Sequence, residues 1–316
     1  MESKHLRIVF MGTPDFAVGI LDALVQNQYN VVSVITVADK PAGRGKQIMS
    51  SPVKLYAMSH QIPVLQPTNL KNENFLAELQ ALQPDLQIVV AFRMLPQSVW
   101  NMPKYGTFNL HASLLPAYRG AAPINWAIIN GDKVSGVTTF FIDEKIDTGA
   151  MILQNQVTIE ENENAGSLHD KLMEIGKHLV IKTVDLIGNG NVKTTLQPEV
   201  APSNAPKLFK ENCKINWQSD IIDIHNFIRG LSPYPAAWTT FENEEVIGEI
   251  KIFKAHYILE EHSYNQYSIV CSKNEIKIAL PEGFILIDEL QLPARKKMDT
   301  KSLLNGFKFS TTARVL

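Results

Sequence analysis

Asn109 and His111 stand two positions apart in the run Asn109-Leu110-His111, and a strand's two-residue period carries both side chains to one face. That pairs an amide donor with a base that titrates near neutral pH. Such a pair suits an acyl carbon passing through a tetrahedral intermediate. The amide donates to the oxygen as it turns negative, and the imidazole moves a proton. Asp147, in Ile146-Asp147-Thr148-Gly149, offers a carboxylate that would fix the imidazole tautomer, and Asp143 in the same loop competes for that place. A plainer role, a buried Asn and His that satisfy loop backbone, fits the same residues. No Ser or Cys lies in a nucleophile-elbow context. The pattern therefore favours direct attack by an amine on an activated acyl carbon over a covalent enzyme intermediate.

Residues 109–111 end one of four short runs rich in Val, Ile and Phe, at 6–11, 31–36, 85–92 and 106–111, with the composition of central parallel strands. Helix-like stretches at 16–27, 52–60 and 72–82 separate them, giving βαβ units. Two more strands, at 137–142 and 151–159, and a long amphipathic helix at 167–187 complete the unit. The expected fold is α/β, a Rossmann-like doubly wound and mostly parallel sheet. Such a sheet places ligands beyond the carboxyl ends of its strands, where Asn109 and His111 fall. The turn 11–16 lacks the Gly-x-Gly-x-x-Gly fingerprint, which argues against a dinucleotide. It reads either as a capped turn or as a ligand-lining helix start.

Gly188-Asn189-Gly190-Asn191 breaks the long helix, and Pro198, Pro202 and Pro206 follow among small polar residues, the composition of a linker. Beyond it, one helix at 220–229 precedes five short strands, at 237–241, 246–257, 267–271, 275–279 and 284–292. They suggest a small OB-like β-barrel. The expected division is a catalytic domain at 1–188, a linker at 189–206 and a barrel domain at 207–316. A fragment of residues 1–206 is then expected to fold alone.

With 316 residues, 45% hydrophobic and 20% charged, the chain has an ordinary globular composition. Its 30 Lys and Arg against 32 Asp and Glu give a formal charge of −2, so no global positive field drives nucleic-acid binding. Any RNA must be held by local patches. Cys213 and Cys271 have no ligand-spaced neighbours, so neither a metal site nor a disulfide framework is expected. The apolar runs fall short of a bilayer span and residues 1–5 are polar, so no membrane segment or signal peptide is expected, and a reducing cytoplasm fits best.

Taken with their flanks, Asn109-Leu110-His111-Ala112-Ser113-Leu114-Leu115-Pro116, Arg119-Gly120-Ala121-Ala122-Pro123-Ile124 and Ile146-Asp147-Thr148-Gly149 resemble the signature of formyltransferases that use 10-formyltetrahydrofolate. The resemblance implies catalytic positions at Asn109, His111 and Asp147, and a folate site lined by Ser113, Leu114, Leu115 and Pro116. It implies no metal. The loop Asp39-Lys40-Pro41-Ala42-Gly43-Arg44-Gly45-Lys46 is similar to the basic insertion of methionyl-tRNA formyltransferases, which reaches the tRNA acceptor arm in that family. Residues 12–16, Ser51-Pro52-Val53-Lys54 and Ser232-Pro233-Tyr234-Pro235-Ala236-Ala237-Trp238 are similar too. Phe92-Arg93-Met94-Leu95-Pro96 departs from the family, because many members carry Tyr-Gly where this chain has Phe-Arg.

The resemblance implies a monomer that formylates initiator methionyl-tRNA and has no DNA partner. Lys40, Arg44 and Lys46 would contact the tRNA, with Arg295, Lys296 and Lys297 as a second cluster and Lys207, Lys210 and Lys214 as a third. Each cluster alone also fits a solvated surface. Trp217, Trp238 and Tyr257 read as barrel core rather than base-stacking platforms. Two rivals stand beside this reading. One is a formyltransferase acting on glycinamide ribonucleotide or a nucleotide-linked amino sugar. The other is a non-catalytic RNA-binding protein, which leaves the ordered Asn, His and Asp unexplained.

Overall fold

The computed structural model describes residues 3–42 and 47–316. The apolar runs become β1 (Ile8–Gly12), β2 (Val31–Ile35), β3 (Val64–Leu65), β4 (Leu86–Val90) and β5 (Thr107–His111). With β6 (Val134–Phe141) and β7 (Met151–Thr158) they form one seven-stranded sheet, in the order β7-β6-β5-β4-β1-β2-β3. β1 pairs in parallel with β2 and β4, β2 with β3, and β4 with β5, while β6 runs antiparallel to β5. Every residue of β1 and β4 is buried, which explains why these strands are apolar rather than alternating, apart from Gln87 in β4, whose Oε1 accepts from Thr107 Oγ1 at 3.0 Å.

Two of the connecting helices begin on a side chain that satisfies a free backbone N–H group. α2 (Pro52–Ser59) starts on Ser51, whose Oγ accepts from Lys54 N at 3.1 Å, with Pro52 at the position that needs no donor. α3 (Glu73–Ala81) starts on Asn72, which accepts from Phe75 N. α1 (Asp15–Gln26) follows β1 directly. A Cβ on Gly12 would stand 2.5 Å from Ala17 Cβ and 3.0 Å from Val90 O, so Gly12 serves this close helix–strand approach.

Two further helices are α4 (Pro123–Ile129) and α5 (Ala165–Gly188). The chain divides into two compact units that interleave along the sequence. The first comprises Met1–Gly120, Ser135–Val157 and His169–Asn204, and the second Ala121–Val134, Thr158–Leu168 and Ala205–Leu316. A single cut at 189–206 does not reproduce this division. α4 packs against α6 (Ile221–Gly230), and Asn125 Nδ2 donates to Gly230 O at 2.8 Å. Within the second unit Arg229 Nη1 also donates to Glu163 O at 2.7 Å. Composition marks a breaker but not which later segment buries an earlier one.

Parts of the proline-bearing segment are bonded to the first unit. Thr195 bridges Met151 in an antiparallel pair, with N–H···O distances of 2.8 and 2.9 Å, and Tyr118 N donates to Ser203 O. All four residues lie in the first unit.

The second unit holds a barrel of β8 (Ala237–Asn243), β9 (Val246–Leu259), β10 (Ile269–Cys271), β11 (Ile276–Leu280), β12 (Gly283–Gln291) and β13 (Arg314–Val315), in the order β10-β11-β12-β9-β8-β13. A bridge between Ser268 and Arg314 brings its two ends together. Ile250, Ile252, Ile278, Ile285 and Leu290 fill it, with Ile221, Ile224 and Ile228 of α6 in the same core. Trp217 is buried there and donates Nε1–H to Thr239 Oγ1 at 2.8 Å, a core role as its composition suggests.

Candidate active site

β5 delivers Asn109 and His111 to the carboxyl end of the sheet, on one face of the strand. Asn109 is half-buried and His111 is buried. His111 Nε2 lies 2.8 Å from the Tyr118 carbonyl. A carbonyl only accepts, so Nε2 carries the hydrogen and Nδ1 is the nitrogen free to gain or lose one. Nδ1 faces Asp147 Oδ2 at 3.7 Å. The tautomer is thus set by Tyr118 rather than by Asp147, because the carbonyl is the closer partner.

Asp147 sits in the left-handed region, with φ +55°, in the loop between β6 and β7. Its Oδ2 accepts from Gly120 N at 2.9 Å, which holds the carboxylate toward the imidazole. The loop is pressed against the sheet. A Cβ on Gly149 would come within 1.7 Å of Phe141 O, so only glycine passes there. Asp143 is occupied otherwise, since Oδ1 accepts from Lys145 N at 3.0 Å and Thr148 Oγ1 at 2.7 Å and so ties the loop to itself. Gln197, from the segment expected to be a linker, reaches the same loop, donating to Asp147 O and Gly149 O.

Sequence reasoning singled out Asn109, His111 and Asp147, and the fold brings His111 and Asp147 face to face. It missed Tyr118, Gly120 and Gln197. Two of these act through backbone atoms, which leave no residue-type signature, and the third lies in a segment whose composition suggests no structure.

Ser113 and Leu115 are buried, whereas Leu114 and Pro116 are partly exposed. The Ser113 hydroxyl donates to Ala117 O at 2.6 Å, and Leu115 is held at both backbone atoms, N to Thr138 Oγ1 and O to Gln154 Nε2. Ser113 and Leu115 therefore shape this segment from within, and Leu114 and Pro116 present its accessible edge. Arg93, at the family departure, is exposed and bonds the carbonyls of Pro67 and Thr68 while lying over the Phe92 ring, 5.6 Å from its centre.

Of the basic positions, Lys40 is exposed and begins a short strand, Lys40–Ala42, paired antiparallel with Gln47–Met49. Arg44 and Lys46 lie outside the described residues. Next in sequence to this strand pair, Asp39 lies 2.5 Å from Lys54, which with Gln66 holds the Asp39 carboxyl below its usual range. Arg295, Lys296 and Lys297 are exposed. Arg295 lies over the Phe307 ring and Lys297 pairs with Glu289 at 2.7 Å. Lys210 and Lys214 lie over Trp238, 5.0 and 5.8 Å from the ring centre. Among the described residues no group of three or more His, Cys, Asp or Glu could hold a metal ion, and no helix is long and apolar enough to cross a membrane.

Residues 6–184 match the family described as Formyl transferase, and residues 207–308 match its companion, Formyl transferase, C-terminal domain. The chain belongs to the formyl transferase family and is an enzyme of formyl transfer. At finer grain it is similar to the methionyl-tRNA formyltransferase of Flavobacterium johnsoniae, 60% identical over 313 residues that span 99% of both chains. It is 54% identical to the methionyl-tRNA formyltransferase of Bacteroides fragilis, over 97% of both chains. Among solved structures, the sugar 3N-formyl transferase WlaRD shares the fold, with a TM-score of 0.63, 22% identity, and 92% of this chain and 99% of that one covered.

Proposed function

We propose that this chain transfers a formyl group from 10-formyltetrahydrofolate to the α-amine of methionyl initiator tRNA, with Asn109, His111 and Asp147 as its catalytic residues. The observation that carries the reading is the near-full-length likeness to methionyl-tRNA formyltransferases, at 60% identity in the nearer of the two relatives compared. The site chemistry agrees with it. The folate supplies the formyl carbon and a nitrogen leaving group. The accessible edge at Leu114 and Pro116 gives it apolar surface next to His111.

An α-amine has a pKa near about 8, so a useful fraction is a free nucleophile at neutral pH. As it bonds to the formyl carbon, the oxygen gains negative charge, and the Asn109 amide N–H donates to it. The attacking amine must lose a proton and the departing nitrogen must gain one. His111 Nδ1, with Nε2–H engaged by Tyr118 O, is the position that takes and returns it. Asp147 stabilises the imidazole when it carries both protons.

The tRNA backbone is contacted through cations, Lys40 with Arg44 and Lys46, and Arg295, Lys296 and Lys297. The enzyme acts as a monomer in the cytoplasm. The test is to supply 10-formyltetrahydrofolate with methionyl-tRNA, glycinamide ribonucleotide or a nucleotide-linked amino sugar, and to follow tetrahydrofolate release. Release that depends on methionyl-tRNA is expected. Release with either small acceptor but not with tRNA contradicts the proposal, and tRNA binding without any release points to a non-catalytic RNA-binding protein.

A further inference from the structure

Three consecutive residues after β5 converge on the candidate site. Tyr118 O engages His111, Gly120 N holds the Asp147 carboxylate, and between them the Arg119 side chain leads to the backbone of Asp147 through Gln197. Gln197 Oε1 accepts from Arg119 Nη2 at 2.9 Å and from Nε at 3.2 Å. Its Nε2 donates to Asp147 O at 3.0 Å and to Gly149 O at 2.8 Å, the carbonyls on either side of Thr148. Arg119 is itself fixed by the carbonyls of Pro198, at 2.8 Å, and Glu199, at 3.1 Å.

We infer that Gln197, oriented by Arg119, is a positioning residue that holds the Asp147 loop so that the carboxylate faces His111. This rests on the catalytic reading of Asp147 given above. A single amide is suited to the task because it accepts and donates at once. The guanidinium fork fixes its oxygen, which leaves the NH2 group aimed at two carbonyls. Asp147 is in a left-handed conformation, uncommon for a non-glycine residue though better tolerated by Asp than by most, and the bond to its carbonyl helps to keep it there. Gln197 bonds the backbone at Asp147 itself and two residues on, so removing it frees this loop first.

The test measures kcat, KM for 10-formyltetrahydrofolate and the pH profile for Gln197→Ala and Gln197→Glu, alone and combined with Asp147→Asn. Gln197→Ala is expected to lower kcat by roughly 10- to 100-fold, with KM for the folate changed less than about twofold. Gln197→Glu retains acceptors for Arg119 but sets a carboxylate against two carbonyl oxygens, so it should be at least as damaging. The pH profile of Gln197→Ala should take the shape of that of Asp147→Asn rather than a scaled copy of the wild-type curve. In the Asp147→Asn background, Gln197→Ala should add less than about a twofold loss, because both act through one carboxylate.

Full activity in Gln197→Glu overturns the inference, as does a double variant whose loss is the product of the single losses. If Gln197→Ala melts early, Gln197→Glu and the double-variant comparison at a temperature where both are folded still decide it. Near wild-type turnover for Asp147→Asn alone sinks the catalytic reading instead, and that outcome is separate from the others.

Discussion

The candidate site in the first unit and the basic clusters of the second are built in opposite ways. His111 is buried at the end of β5, has one carbonyl and one carboxylate facing its two nitrogens, and faces loops tied down by backbone and side-chain bonds. Arg295, Lys296 and Lys297 are exposed, and Lys297 already shares its charge with Glu289. A buried group acts in a low dielectric and from one geometry, so its loss is large and is not recovered by a neighbour. Exposed cations act through a screened field to which many contribute, so the loss of any one is small and depends on salt. Chemistry is concentrated in single residues, and recognition is spread over many.

The largest effect expected within this contrast is on turnover. Asn109→Ala and Asp147→Asn should each lower kcat by roughly 10² to 10⁴ while thermal unfolding shows a folded protein. Asp143→Asn should be much milder, because that carboxylate ties its own loop to Lys145 and Thr148. Steady-state kinetics on the three variants checks this, and a severe Asp143→Asn beside a mild Asp147→Asn reverses the assignment.

A fragment of residues 1–206 comes next. It keeps every candidate catalytic residue but strips α6 from α4, exposing surface that the intact chain buries. It should be less soluble and melt below the full chain, and light scattering with a calorimetric scan would show it. A cooperative transition at the full-chain temperature would restore 189–206 as a true linker.

The basic cluster should give a graded effect. Arg295→Ala, Lys296→Ala and Lys297→Ala together should weaken tRNA binding several-fold and reduce the slope of log K against log salt by about one unit for each phosphate that is no longer neutralised. kcat at saturating tRNA should hold. An unchanged slope in titrations at several salt concentrations would return the cluster to ordinary solvated surface.

The smallest effect concerns His225, buried in α6, whose pKa is held below its usual value by desolvation and then by Arg229. The unfolded chain binds the proton more readily, so stability contributed by neutral His225 is present above about pH 6.5 and is lost as pH falls through the depressed value. His225→Gln should flatten the fall in melting temperature below that pH. A parallel curve for the variant removes His225 from the acid response.

Much of this contrast is legible in the sequence, for physical reasons that also mark where legibility ends. β1 and β4 read clearly because strands buried on both faces are nearly continuous apolar runs, broken here only by Gln87 in β4, and Asn109 and His111 share a face because the strand period is two. Tyr118 and Gly120 act through C=O and N–H groups that every residue carries, so their roles depend on where the chain turns. Gln197 gains its role only from tertiary partners in two other loops, and its neighbours Pro198 and Glu199 look like linker. The placement of 121–134 and 158–168 in the second unit depends on α4 packing against α6 and on Glu163 O accepting from Arg229, which local composition does not encode.

The central claim, that formyl transfer runs through His111, is tested most directly by single-turnover formation of formylmethionyl-tRNA. Wild-type protein and His111→Ala would each be mixed with 10-formyltetrahydrofolate and methionyl-tRNA at saturating concentrations. The rate should fall by roughly 10² to 10⁴ in the folded variant, with tRNA affinity and its salt dependence unchanged. A His111→Ala rate within a few-fold of wild type would contradict the account.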